Sequence, residues 1–253
     1  MDKKLISRWS AIIVLIVILA AGTAVSAEIG GEKKQTIGAG EKFETDYFIF
    51  RSEEPGPTVF LVGGIHGDER AGAGALEIIR DDLSVGAGKV IILPRANIPA
   101  LEAGERYAPG ARDLNRAFPV DEEKDWTGRL ASEIWNIVIA YEVDIIFDLH
   151  EARDFYQISD SVGQTVILNP HPDGALLALH LVTEINQHLP PGKKRFTYIS
   201  PTVQNSLTRV ANEELEIPTF IFETTVVMPM EERVSLHEKL VYLALDYLEI
   251  LEK

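Results

Sequence analysis

The segment 63–69 reads Gly-Gly-Ile-His-Gly-Asp-Glu and places His66 three positions before Glu69. An imidazole and a carboxylate at this spacing can bind one metal ion from a single turn of backbone. A third candidate ligand, His150, closes an apolar run of its own. A zinc ion held by His, Glu and His keeps its fourth coordination position open for water, as in catalytic rather than structural zinc sites. These residues therefore predict a zinc-dependent enzyme.

Segments with strand and helix patterns must position these ligands. Hydrophobic periodicity predicts strands at 58–62, 90–93, 143–149 and 219–223, and helices at 70–83, 127–141, 174–188 and 231–251. The segment 97–119, rich in Pro, Gly and charge, predicts a long ordered loop. Strands that alternate with helices indicate a single α/β domain with a mixed, largely parallel central sheet flanked by helices. Ligands bind beyond the carboxyl ends of such strands, which is where the His66 loop, His150 and Glu223 fall.

Residues 1–27 have the layout of a secretory signal peptide, with a basic start, an apolar stretch and small residues ending at Ala27. We expect cleavage after Ala27, which leaves 28–253 as one catalytic domain exported to the periplasm or the extracellular space. The apolar stretch is short for a bilayer span of ~20 residues. Retention as an N-terminal anchor stays open, but no stable membrane association is expected after cleavage.

The 253-residue chain carries a formal net charge of −15 and no cysteine. This charge would repel the phosphates of nucleic acid, so a nucleic-acid partner is not expected. The lack of cysteine excludes disulfides, thiol catalysis and zinc–thiolate sites. Any bound metal must therefore be held by nitrogen and oxygen ligands.

Four motifs together resemble the zinc carboxypeptidase superfamily, and more closely its succinylglutamate desuccinylase/aspartoacylase branch. They are the segment 63–69, Asp-Leu-Asn-Arg at 113–116, Asp-Leu-His at 148–150, and Phe-Glu-Thr at 222–224. A lone His-x-x-Glu pair is a weak signal, but the four motifs follow one another in the order and spacing that the resemblance requires. The resemblance spans roughly residues 58–225, most of the chain that follows the predicted signal peptide.

The resemblance implies that His66, Glu69 and His150 bind one zinc ion per chain, and that Glu223 acts as general base on zinc-bound water. Zinc lowers the pKa of its water from ~15.7 toward ~7 and polarises the scissile carbonyl. A carboxylate beside that water can take the proton and later give it to the departing amine. One glutamate would serve both steps.

The resemblance also assigns roles to the residues between the first and the third ligand. Arg106 would polarise the carbonyl, because positive charge is needed where the oxyanion develops; Arg112 is nearer to Asn115 in sequence and remains an alternative. Asn115 and Arg116 resemble the pair that fixes the free carboxylate of the substrate, a role suited to a planar guanidinium. The predicted target is thus an amide bond next to a free carboxylate.

Some parts of the family pattern cannot be placed. A mobile tyrosine is expected between the third ligand and the base, where Tyr198 is a candidate and Tyr156 a weaker one. Only 30 residues follow Glu223, enough for the terminal helix but not for the extra β domain of intracellular family members. Arg153 and Arg209 stay open as contacts for a second charge on the substrate.

For several charged residues near the motifs, an ordinary structural role is the alternative to a role in the predicted site. Asp148 either orients a ligand histidine or ends its strand, and Asp113 could cap a turn. Glu151 should point to the face opposite His150 if the strand continues. The other histidines lack ligand spacing and are expected to be packed or exposed: His171, His180, His188 and His237.

We therefore expect an exported zinc hydrolase whose substrate is a small peptide or an N-acyl amino acid. Removal of a C-terminal amino acid and removal of an acyl group fit the residues equally well, and the exported location favours peptides, including cell-wall peptides. The alternative is a non-catalytic module that binds a carboxylate ligand, in which Glu223 would form only a salt bridge with Arg209 or Arg106. The presence of Glu223 beside three ligands favours the enzyme.

Overall fold

The computed structural model describes residues 32–118 and 125–252, which form an eight-stranded sheet covered by helices on both faces. The strands β1 to β8 are Lys33–Ile37, Thr45–Arg51, Thr58–Gly63, Lys89–Leu93, Ile145–Ala152, Thr165–Leu168, Thr197–Ile199 and Thr219–Thr225. The helices α1 to α6 are Arg70–Asp82, Ile98–Ala103, Trp126–Ala140, Pro172–Asn186, Leu207–Leu215 and Met230–Tyr247. The predicted α/β fold with a mixed central sheet is confirmed.

The strand order is β1-β2-β4-β3-β5-β8-β6-β7. The four central strands β4, β3, β5 and β8 run parallel. At one side β2 is antiparallel to β4 and β1 is antiparallel to β2. At the other side β6 is antiparallel to β8 and β7 is parallel to β6. The carboxyl ends of β3, β5 and β8 therefore lie next to one another at the same edge of the sheet.

The core has two layers because successive strand residues face opposite sides. Phe147 and Leu149 of β5 pack with residues of α1, α4 and α6 on one face. Ile146 of β5 and Phe60 of β3 pack with α3 and α5 on the other face. Burial of both faces matches the continuous apolar strands expected of a parallel sheet.

The sequence interpretation was wrong about the segment 97–119, since it contains α2 and a short 3-10 turn, Leu114–Arg116. Asn97 caps α2, its side chain accepting from the amide of Ala100 at 3.4 Å, and Gly104 ends it in the left-handed conformation at φ 66°. The fifth strand also runs past His150 to Ala152 rather than ending before it.

The predicted signal peptide, residues 1–27, lies outside the described residues. Within 32–118 and 125–252, no helix has the length and apolar character needed to cross a membrane.

Candidate metal centre

Three strand ends bring the candidate ligands and the candidate base together. His66 and Glu69 lie in the loop between β3 and α1, and Gly63 at the end of β3 is in register with Leu149 of β5. His150 of β5 is directly opposite Glu223 of β8. Residues 66, 69, 150 and 223 thus share one cavity although they are spread over more than half of the chain.

The three candidate ligands are buried and nearly in contact. Glu69 Oε1 lies 2.7 Å from Nδ1 of His66, and Glu69 Oε2 lies 2.7 Å from Nδ1 of His150. One ligand atom from each residue falls within 4.8 Å of the others. Two imidazole nitrogens and a carboxylate at such separations can bind one zinc ion and leave a fourth position open.

The outer nitrogen of each histidine faces a carboxylate. His66 Nε2 is 2.9 Å from Asp113 Oδ1, and His150 Nε2 is 2.9 Å from Asp148 Oδ2. Asp113 also caps the 3-10 turn by accepting from the amide of Asn115 at 2.9 Å. Metal-bound histidines commonly have such a partner, which fixes the ring and its tautomer. Sequence reasoning gave Asp113 only a capping role, although its place in the 113–116 motif was a usable signal.

Backbone contacts with α2 hold the loop that carries His66 and Glu69. The amide of Asn97 donates to the carbonyl of Gly64 at 3.0 Å, and its side chain donates to Ile65 O at 3.1 Å. The amide of Gly67 donates to Glu105 O at 3.1 Å. A β-carbon at Gly67 would lie 1.8 Å from the carbonyl oxygen of Ala100, so only glycine fits there. The helix that the sequence did not predict is therefore a support of the site.

Electrostatics around His150 are dominated by buried carboxylates. Burial would lower the pKa of His150, but Asp148 and Glu69 raise it well above its usual value. Burial alone would raise the pKa of Glu69, yet His150 and His66 hold it well below its ordinary range. For Asp113, the His66 hydrogen bond and the charges of His66 and Arg106 outweigh burial and lower the pKa to about 2. The site thus stabilises positive charge at its centre.

Glu223 lies beside this centre in a buried position. Burial raises its pKa well above the ordinary value for a glutamate, with the charge of His150 acting in the opposite direction. Glu223 Oε2 forms no hydrogen bond with any described residue. Unpaired buried carboxylates are costly, and a divalent cation bound by the two Nδ1 atoms and Glu69 would supply the missing positive charge. The donor set and its surroundings therefore fit a metal ion.

The arginines near the 113–116 motif differ in what they contact. Arg106 faces the centre, donating to Glu69 Oε1 at 3.1 Å and to Asp113 Oδ2 at 3.2 Å. Arg112 instead donates to both oxygens of Asp125 at 3.2 Å and does not line the cavity. Of these two alternatives, the geometry favours Arg106 as the arginine of the site.

Asn115 and Arg116 lie close to His150. The Nδ2 atom of Asn115 is 3.4 Å from His150 Nε2, and its Oδ1 has no hydrogen-bond partner among the described residues. Arg116 donates to the carbonyl of Asn115 at 2.7 Å, and both residues line the cavity. An amide and a guanidinium in this position can hold a substrate carboxylate close to the metal ligands.

The cavity has a volume of about 770 Å³ and extends past the centre to Arg153 and Asp160. Arg153 is exposed and forms no ion pair with a described residue. Arg209, in contrast, pairs with Glu213 and does not line the cavity. The candidate mobile tyrosines, Tyr198 and Tyr156, are both exposed and neither lines the cavity.

The fold and this centre define an α/β protein with one candidate metal site at the carboxyl edge of its sheet. Residues 55–163 match the model of the succinylglutamate desuccinylase/aspartoacylase catalytic domain. The resemblance to this family that the sequence predicted is confirmed over this segment, which makes up less than half of the chain.

Two curated relatives share part of the sequence. The N-alpha-acetyl-L-2,4-diaminobutyric acid deacetylase of Halomonas elongata is 39% identical over 98 residues, covering 38% of this chain and 28% of that protein. The succinylglutamate desuccinylase of Burkholderia orbicola is 32% identical over 127 residues, covering 45% of this chain and 35% of that protein. The match therefore spans about a third of each relative.

A solved structure shares the fold at low identity. The apo Cell Shape Determinant protein Csd4 from Helicobacter pylori aligns with a TM-score of 0.73 and 22% identity, covering 81% of this chain and 55% of that one. At this identity the likeness shows the fold alone. The chain spans about half the length of that structure.

Proposed function

We propose that this chain is a zinc-dependent hydrolase that cleaves an amide bond next to a free carboxylate. The observation that carries the proposal is the meeting of His66, Glu69 and His150 around one point, with the buried Glu223 beside them. When bound, zinc would lower the pKa of a coordinated water and polarise the scissile carbonyl. One ion per chain suits the single set of metal ligands found within residues 32–118 and 125–252.

The roles of the surrounding residues follow from where they lie. Glu223 would accept the proton of the attacking water and pass it to the leaving nitrogen. Because its pKa is raised by burial, nearby positive charge is needed to keep it ionised, and this argues for a cation at the centre. Arg106 would stabilise the developing oxyanion. Asn115 and Arg116 would hold the free carboxylate of the substrate.

The activities named for the relatives support an amide-cleaving activity of this kind. One relative is a deacetylase of an acetylated amino acid, another is a desuccinylase, and Csd4 is described as a D,L-carboxypeptidase. Acyl groups and C-terminal amino acids are thus both candidates for the group that this chain removes. The signal-like residues 1–27 favour an exported enzyme and, with it, peptide substrates.

The test is to purify the chain, measure its zinc content, and assay C-terminally free peptides against N-acetyl and N-succinyl amino acids. Glu223→Gln should retain zinc and lose turnover by at least ~100-fold, because a positioned base contributes 10²–10⁴-fold. Unchanged activity in Glu223→Gln would refute the base assignment. Ligand binding without turnover in the zinc-loaded wild type would instead support a binding module.

The same assay can test whether Arg153 contacts a second charge on the substrate. Because it faces the cavity without an ionic partner, Arg153→Ala should raise KM for substrates that carry a second negative charge and leave neutral ones unaffected. Arg209→Ala is the matched control, since Arg209 is paired with Glu213 outside the cavity. Equal effects of the two substitutions would show that Arg153 contacts no substrate group.

Export is tested separately. N-terminal sequencing of the protein recovered from its native host should begin at Glu28 if the segment 1–27 is removed. Recovery of the intact N-terminus in the membrane fraction would support an anchor, and recovery in the cytoplasm would refute export.

A further inference from the structure

Glu151 lies directly after the ligand His150 but faces the opposite side of β5. Its side chain is completely buried, and its Oε1 accepts from Nη1 of Arg233 on α6. Thr224 of the neighbouring strand contacts the same oxygen at 3.5 Å. A buried carboxylate is tolerated only when it is paired and hydrogen-bonded, and here Arg233 supplies the charge.

The second oxygen of Glu151 holds the start of α1. Glu69 is the N-cap residue of this helix, but its side chain makes no capping hydrogen bond because it lies between the two imidazoles. The first amides of a helix need acceptors from outside it. Glu151 Oε2 accepts from the amide of Ala71 at 2.8 Å and so replaces the missing cap.

The backbone of Glu151 contacts the metal ligand itself. Its amide donates to Glu69 Oε2 at 3.0 Å, the oxygen that also lies 2.7 Å from His150 Nδ1. The amide of Glu151 therefore contacts the side chain of Glu69 directly. The carboxylate of Glu151 holds the backbone of Ala71, two residues after Glu69. Both contacts fix Glu69 relative to His150, the residue that precedes Glu151.

We propose that Glu151 and Arg233 are positioning residues that set the separation of Glu69 from His150 and thereby the affinity of the centre for its metal ion. The two side chains pair with each other on the face of β5 that α6 covers, and neither side chain is a candidate metal ligand. This inference rests on the proposed metal centre and adds to it a buried ion pair on the far face of the sheet. Partners of metal ligands typically affect metal affinity by 10- to 100-fold when substituted, and the pair acts on Glu69 in the same way.

The test measures zinc affinity of the full chain by competition with a chromophoric chelator, with no substrate present. Glu151→Gln keeps one acceptor oxygen but cannot hold both Ala71 and Arg233, and we expect about 10- to 100-fold weaker binding. Arg233→Met should have a similar effect. In the metal-free protein, amide hydrogen exchange at Ala71 should be faster in Glu151→Gln than in the wild type.

Glu232→Gln is the matched control, because the adjacent residue on α6 forms an exposed ion pair with Lys194 at 2.8 Å. It should leave both zinc affinity and Ala71 exchange unchanged. Thermal unfolding of the metal-free variants separates a general loss of stability from a loss of affinity. If Arg233→Met fails to fold, the milder Glu151→Gln still decides the question.

The outcomes distinguish this inference from the proposed function. A wild-type chain that binds no zinc would refute both. A wild type that binds zinc and hydrolyses substrate, together with a folded Glu151→Gln of wild-type zinc affinity, would refute the positioning role alone. Weaker affinity in Glu151→Gln with normal affinity in Glu232→Gln would support it.

Discussion

The replacement of Gly67 by alanine adds one methyl group at the most crowded point of the ligand loop. The new β-carbon would lie 1.8 Å from Ala100 O and 2.6 Å from Glu105 O, both backbone atoms of α2 or the residues after it. Ordinary contact begins at 3.4 Å, so the loop and α2 must separate by about 1.6 Å. Neither side can yield by a side-chain rotation.

A displacement of this size acts on the ligands on either side of Gly67. Metal–ligand distances tolerate only ~0.2 Å, and His66 and Glu69 are one and two residues from the substituted position. Misplacement of reacting groups by ~1 Å can cost ~100-fold in rate. We therefore expect Gly67→Ala to reduce activity by ~100-fold or more, to weaken zinc binding, and to destabilise the fold by ~1–3 kcal/mol through overpacking.

Gly74→Ala provides the same chemical change nearby with the opposite expected result. Its β-carbon would meet only Val234 Cγ2 at 3.6 Å, and glycine inside a helix is less stable than alanine by ~0.5–1 kcal/mol. Zinc titration and thermal unfolding of both variants check the comparison. A Gly67→Ala protein with wild-type zinc affinity and unfolding temperature would show that the loop geometry does not constrain the centre.

Three further predictions concern stability. Chelation of the metal should lower the unfolding temperature and added zinc should restore it, because a ligand at 100 times its Kd contributes ~2.7 kcal/mol to stability. An unchanged unfolding temperature would show that metal binding does not stabilise the fold. Phe147→Ala should cost ~3–5 kcal/mol by denaturant unfolding, since this ring is fully buried and stacks on Phe220 at 5.2 Å. Asp46→Asn should cost less than ~1 kcal/mol at neutral pH. Hydrogen bonds from Lys34 and Thr36 lower the pKa of Asp46 below its usual 3.8, so this contribution is lost as pH falls through the lowered pKa, and the two proteins should then unfold alike.

The parts of the fold that the sequence predicted share a strong local pattern. β3, β5 and β8 are apolar runs, and α1 and α3 have helical spacing over 13 and 15 residues. The strands β6 and β7 have only four and three residues. In segments this short, an alternation of apolar and polar residues cannot be distinguished from chance. α2 lies in a segment whose Pro and Gly content predicts a loop, although Pro99 occupies the first turn, where proline is tolerated.

The candidate site was predictable to the extent that its residues stand in motifs. His66, Glu69, His150 and Glu223 follow strand patterns, and parallel strands bring their carboxyl ends together. Arg233 is 82 residues from Glu151, and no local pattern indicates that they pair. Long-range buried ion pairs depend on how helices cross the sheet, which periodicity does not determine.

Residues 148–151 of β5 present two different kinds of buried carboxylate. Glu151, on the face covered by α1 and α6, has an arginine, an amide and a threonine as partners. Asp148, on the face of His150, has only that imidazole as its partner, with Oδ2 2.9 Å from His150 Nε2. An imidazole carries positive charge only when it is protonated, whereas the guanidinium that pairs with Glu151 is always charged. Positive charge bound on the face of His150, where the ligand atoms of His66, Glu69 and His150 meet, would offset the charge of the buried carboxylates there.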